Sequence, residues 1–278
     1  VIHRSVSAGI RACLVATLIS MPAILVPGVD ADTTQIVALL ALLAGVLTFV
    51  EYNSTYPSII DFRSAPPLNR LRFGTLFVTV FAMTQLQVGS GSPVYGSVQA
   101  VAQAFGTVLD IPFSPVRLAL LSMPADMPQA AADDFRLYAS LAYGVSIATI
   151  AIFAVLARAL DWPLNNGAFN VLTNLPLFDP TTGGDVLSRM KRDTSINLIL
   201  GFLLPFLIPA MVKLLSPVMD PLSYVTPQTL IWAICAWAFI PSSMFIRGIA
   251  LWRISGLIEE KRRRAYAQQD DGDGLQAA

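Results

Sequence analysis

The sequence predicts an all-α membrane protein with about six transmembrane helices, N-in and C-in, and an amphipathic outer segment between spans three and four. Three observations predict it. Apolar stretches of near-spanning length recur about six times along 278 residues. Only 13% of the residues are charged and 55% are hydrophobic, whereas a soluble domain carries about 25% charged residues. Lys and Arg crowd into alternate connections between the apolar stretches.

A hydrocarbon core about 30 Å thick takes about 20 helical residues to cross. The helix is the form that satisfies its own backbone where lipid offers no partner. The spans fall at residues 10–26, 36–50, 73–86, 137–160, 196–215 and 230–246, the third being short. His3 and Arg4 before the first run suggest a signal peptide. That run exceeds the usual apolar length of about 7–15 residues, and Val26-Pro27-Gly28-Val29 is a poor cleavage site, so span one is expected to remain.

The outer turn at 27–35 is polar and joins antiparallel helices. Span two then presents Ala38, Ala41, Ala44 and Gly45 at intervals of three or four, a face that lets another helix approach closely. The inner connection 51–72 mixes aromatic, charged and Pro residues. One reading makes it a docking surface for a cytoplasmic or membrane partner, carried by Tyr56, Asp61, Arg63 and Arg70. The other makes it a structured loop in which Glu51 pairs with Arg70 or Arg72.

After span three, Gly89-Ser90-Gly91-Ser92-Pro93 forms a turn. Val98, Val101, Ala102, Phe105, Val108 and Leu109 follow at helical spacing. That stripe is expected to cap the outer ends of the spans, the alternative being a helix lying in the interface plane. Residues 111–123 are apolar but broken by Pro112, Pro115 and Arg117, which argues against a seventh crossing and leaves a re-entrant segment open. Span four carries a small-residue face at Ala142, Gly144, Ala148 and Ala151.

The inner connection 161–197 contains Thr182-Gly183-Gly184-Asp185, which lacks the Lys and spacing of a phosphate loop and reads as a turn into a short helix over 185–193. Pro205 and Pro209 in span five and Pro241 in span six each remove a backbone donor. Their kinks either line a pathway or serve packing, and Trp237 at mid-span reads as packing. Lys261, Arg262, Arg263 and Arg264 follow span six, either as a contact for anionic headgroups worth about 1 kcal/mol per charge or as a topology anchor. Residues 1–260 thus form the polytopic domain, and 261–278 a basic, then acidic, disordered cytoplasmic tail.

The net charge of zero conceals a dipole. In this topology fifteen of the eighteen Lys and Arg lie inside, with Arg117, Arg136 and Lys213 outside. Tyr52, Trp162 and Trp252 fall near the inner boundary, and Tyr138 and Tyr224 near the outer one, as an aromatic belt would.

Chemistry is sparse. The single His3 lies in the N-terminal tail, so histidine-dependent metalloprotease, haem or serine-protease arrangements have no support, and Ser90 has no base within the membrane. Cys13 and Cys235 are isolated, and Asp270-Asp271-Gly272-Asp273 lacks the pattern of a calcium loop. No catalytic, metal or cofactor residue is assigned. Ionisable residues are nearly absent from span centres, which argues against a proton-coupled pump.

The expected function is therefore a noncatalytic scaffold, accessory or assembly component of a membrane complex. Its partners would be membrane lipids and either another membrane protein or a second copy of the chain, with no nucleic acid. The first alternative is a transporter or channel for an uncharged or lipid-like solute through the Pro205 and Pro209 region. The second is a lipid-modifying enzyme at the inner interface using Asp61, Arg63, Asp179 and Asp185.

Overall fold

The computed structural model describes residues 2–55, 58–163, 174–175, 185–216 and 226–276, and side chains within residues 3–267 of those segments. Among them lie eight α-helices: α1 (Ile2–Leu25), α2 (Ala31–Asn53), α3 (Leu68–Val88), α4 (Tyr95–Leu109), α5 (Pro115–Leu121), α6 (Gln129–Ala159), α7 (Val186–Leu215) and α8 (Pro227–Gln276). A 3-10 turn, Gly89–Gly91, follows α3, and the described residues contain no strand. Six helices, α1, α2, α3, α6, α7 and α8, are long and apolar enough to cross a membrane.

Several helices run past the apolar segments that announce them. Residues 185–193 are the start of the 30-residue α7 rather than a separate short helix, because Asp185 caps it and accepts the Ser188 N–H at 3.3 Å. The 50-residue α8 is about 75 Å long, far beyond a bilayer core. Lys261 to Arg264 therefore stand on a helix that continues through Gln276, where the sequence suggests a disordered tail. The charged extension is braced by Lys191 pairing with Glu259 at 2.8 Å and Arg262 with Asp185 at 2.9 Å.

The turns follow from local chemistry. Gly28, at φ 81°, reverses the chain, and Asp30 caps α2 by accepting the Thr33 N–H at 2.5 Å. Ser114 caps α5, whose first helical residue is Pro115. Residues 111–123 thus form a turn and a seven-residue helix packed against α6 and α7, tied down where Lys213 donates to the Met123 carbonyl at 3.5 Å.

Small residues decide which helices touch. A Cβ added at Gly45 would lie 3.4 Å from the Ala12 carbonyl oxygen, so the small-residue face of α2 is used by α1 within the same chain. A Cβ at Gly201 would lie 2.8 Å from both the Phe245 nitrogen and the Pro241 oxygen, which shows how closely α7 and α8 approach. Gly144 of α6 accommodates the Phe105 ring, and α4 packs on α6 with Ala102 buried. The amphipathic helix therefore covers the bundle with one face, while Val101 and Val108 remain exposed on the other.

Among the described residues two apolar cores result. One joins α3, α4, α5, α6 and α8 around Val80, Met83, Ala139 and Ile234. The other gathers Phe62, Phe153, Trp162, Leu175, Met190 and Ile246 at the end where Arg4 meets the C-terminus of α2. That end carries most of the Lys and Arg and is called the basic end below.

Candidate functional site

The connection between α2 and α3 at the basic end is built around Glu51. Its Oε1 accepts the backbone N–H groups of Ser58, Ile59 and Ile60 at 2.7, 2.8 and 2.9 Å, and its Oε2 accepts the Ser58 hydroxyl. The Arg70 or Arg72 partnership suggested by sequence is thus replaced by a ring of backbone donors. These satisfy a buried carboxylate at shorter range than a long side chain from α3. Arg63 folds back over the end of α2 and donates to the carbonyls of Glu51, Ser54 and Thr55. A cation on the carbonyl end of a helix meets the negative pole of its dipole. Burial, then the neighbouring Arg4, push the Arg63 guanidinium below its ordinary pKa.

Asp61 turns the other way. Its Oδ2 accepts Arg247 Nε of α8 at 2.8 Å, and its backbone carbonyl accepts the Asn69 side chain at 2.6 Å. Phe62, held at φ 55°, donates its N–H to the Asn174 carbonyl at 2.6 Å and buries its ring against Trp162, centroids 5.8 Å apart. Trp162 in turn donates to the Ala65 carbonyl at 3.3 Å and accepts Arg253 of α8. The loop is therefore a joint between α2, α3, α6 and α8.

Beside this joint lies a cavity of about 300 Å³. Arg11, Arg63, Arg70, Asn69 and Tyr52 contribute its polar lining, and Leu14, Val15 and Phe73 belong to its apolar wall. The Arg11 guanidinium stands 4.6 Å above the centre of the Tyr52 ring, a cation–π contact, and donates to Ser7. Arg4 donates to the Tyr52 carbonyl at 3.4 Å. Arg70 is exposed and makes no hydrogen bond or ion pair among the described residues.

Compared with known protein families, curated proteins and solved structures, the chain matches none. The site therefore rests on its own geometry.

The other nominated residues are dispersed. Tyr56 and Asp179 lie outside the described residues. Asp185 pairs with Arg262, whose hydrogen bond is the main cause holding the carboxyl below its ordinary range, while Asp61 pairs with Arg247. Pro205, Pro209 and Pro241 are buried. Pro209 lines an apolar cavity of about 150 Å³ against Met123, Phe135 and Trp237. Arg264 pairs with Glu260, and Lys261 and Arg263 are exposed. No group of three His, Cys, Asp or Glu placed to hold a metal occurs among the described residues.

Arg4, Arg11, Tyr52 and Asn69 are not singled out as site residues by the sequence. Arg4 and Arg11 stand seven apart, about two helical turns, and so share a face of α1. That spacing is the one local signal of the cluster.

Proposed function

We propose that this chain is a noncatalytic component of a membrane complex, working by binding other membrane proteins rather than by transforming a substrate. The basic end faces the cytoplasm, both termini lie there, and the membrane is the bacterial inner membrane. The distribution of Lys and Arg between the two ends supports that orientation.

One observation carries the binding reading: braced connections at opposite ends present apolar side chains outward. At the basic end, Ile59 is fixed by its N–H on Glu51, yet its residue is 68% exposed. At the other end, Phe113 is 86% exposed beside Asp110, which pairs with Arg117 and Arg136 at 2.9 Å each. Fixed apolar tips give a partner contact area without the entropy cost of ordering a loose loop. The charged groups nominated for catalysis supply no comparable support, because Asp61, Arg63 and Asp185 are each engaged in holding helices.

The test is affinity capture of the full chain in mild detergent, followed by quantification of co-purifying membrane proteins. The proposal expects a stoichiometric partner whose recovery falls several-fold in Ile59→Ser or Phe113→Ser. A lone monomer, or a partner indifferent to both changes, contradicts it.

A further inference from the structure

The charges at the basic end do not balance locally. Arg4, Arg11, Arg63 and Arg70 cluster about the end of α2. Glu51, the carboxylate of that segment, already accepts three backbone N–H groups and a hydroxyl, and Asp61 accepts Arg247. Among the described residues no carboxylate lines the 300 Å³ cavity onto which Arg11, Arg63 and Arg70 open.

Guanidinium groups converging on a partly desolvated pocket call for an anion. Their planar forks match phosphate oxygens better than a point charge does. The remaining wall narrows the choice. Leu14, Val15 and Phe73 form an apolar side to the same cavity, and Leu14 is 43% exposed on the outer surface of α1. A free phosphate would leave that wall wet, whereas an amphiphile places its phosphate on the arginines and its glycerol and first methylenes on the wall. A volume near 300 Å³ suits a headgroup and not a whole lipid, so the acyl chains would lie along exposed Ile10 and Leu14.

We infer that the cavity between α1, α2, the α2–α3 connection and the start of α3 binds the phosphate of an anionic phospholipid, with Arg70 and Arg11 as its main ligands and Arg63 supplying field. The site is distinct from the basic run at 261–264, and it stands whether or not a protein partner is captured.

The full chain in a neutral detergent is titrated with short-chain phosphatidylglycerol, with phosphatidylcholine of equal chain length, and with inorganic phosphate alone, following the thermal midpoint. Phosphatidylglycerol raises the midpoint, and phosphatidylcholine and phosphate leave it in place. Arg70→Gln folds normally, since Arg70 has no partner among the described residues, and weakens phosphatidylglycerol binding about tenfold, as expected for one lost charged hydrogen bond. Arg11→Gln, which also gives up the contact with Tyr52 and the bond to Ser7, weakens phosphatidylglycerol binding by a similar factor when measured against its own lipid-free midpoint, and Lys261→Gln with Arg263→Gln has no effect. Equal response to both lipids, full response to inorganic phosphate, or wild-type binding by Arg70→Gln and Arg11→Gln would each overturn the inference.

Discussion

The Trp237 indole N–H donates to the Pro205 carbonyl oxygen at 3.0 Å. That oxygen is the acceptor that Pro209, four residues on and without an N–H, leaves empty in α7. In a bilayer an exposed carbonyl has no water to turn to, so a neighbouring helix supplies the donor. The acceptor that the proline leaves empty is thereby satisfied within the chain, which supports a packing role for Pro205 and Pro209.

Trp237→Phe keeps most of the apolar burial and the ring contact with Tyr143, now stacked at 5.6 Å, but removes the donor. A loss of about 1–3 kcal/mol is expected, the cost of a buried acceptor left unsatisfied. Unfolding of the detergent-solubilised chain measures it, with Trp232→Phe as the comparison. Equal stability of the two variants would show that Pro205 needs no partner.

Gly201→Ala should be among the most damaging single-methyl additions, because its Cβ would meet backbone atoms of α8 at 2.8 Å. Backbone cannot rotate away as a side chain does, so a loss of about 1–3 kcal/mol or more is expected. Gly9→Ala, with nothing within 4 Å, serves as the control and should not destabilise the chain. Matching thermal midpoints would contradict the close α7–α8 approach.

Glu51→Gln should loosen the α2–α3 connection without displacing α2 itself. The amide keeps one acceptor but turns a donor toward the Ser58 hydroxyl, and it loses the charge that draws three N–H groups. Hydrogen exchange at Ser58, Ile59 and Ile60 should accelerate, while exchange in the middle of α2 should not. Uniform protection would remove Glu51 from its organising role.

Asp185 offers a test by pH. The hydrogen bond from Arg262, its largest influence, lowers its pKa from the ordinary 3.8. A carboxyl whose folded pKa is depressed contributes stability that is present above the unfolded value and lost as pH falls through the folded one. Holding the chain above about pH 4 should therefore leave the α7–α8 extension intact, with loosening only on further acidification. In Arg262→Gln, carboxyl NMR should find the Asp185 titration moved upward toward 3.8 and that of Asp30, lowered first by the Thr33 N–H, unchanged. An unmoved Asp185 would contradict the pairing.

The spans were legible because apolar length is a local property, and α2, α3 and α7 all contain the segments read for them. The extent of α8 was not: residues 259–264 are charged at every position, and the run from 261 resembles the start of a solvated tail until Glu259 and Arg262 meet Lys191 and Asp185 of another helix. Glu51 was misassigned for a similar reason. A sequence displays opposite side-chain charges, whereas the backbone N–H groups of Ser58 to Ile60 become donors only once the turn has formed. The arginine cavity has no local signature because α1, α2, the following connection and the start of α3 each contribute a part.

The central claim is that six crossings bring both termini and the Lys- and Arg-rich connections to the cytoplasmic face. The most direct measurement places single cysteines at Ser5, Ala31, Ser64 and Gln129 in a Cys13→Ala, Cys235→Ala background, and labels intact cells with a membrane-impermeant maleimide. The account predicts labelling at Ala31 and Gln129 alone, with Ser5 and Ser64 reacting only after the membrane is opened. Labelling of Ser5 and Ala31 from the same side would contradict it.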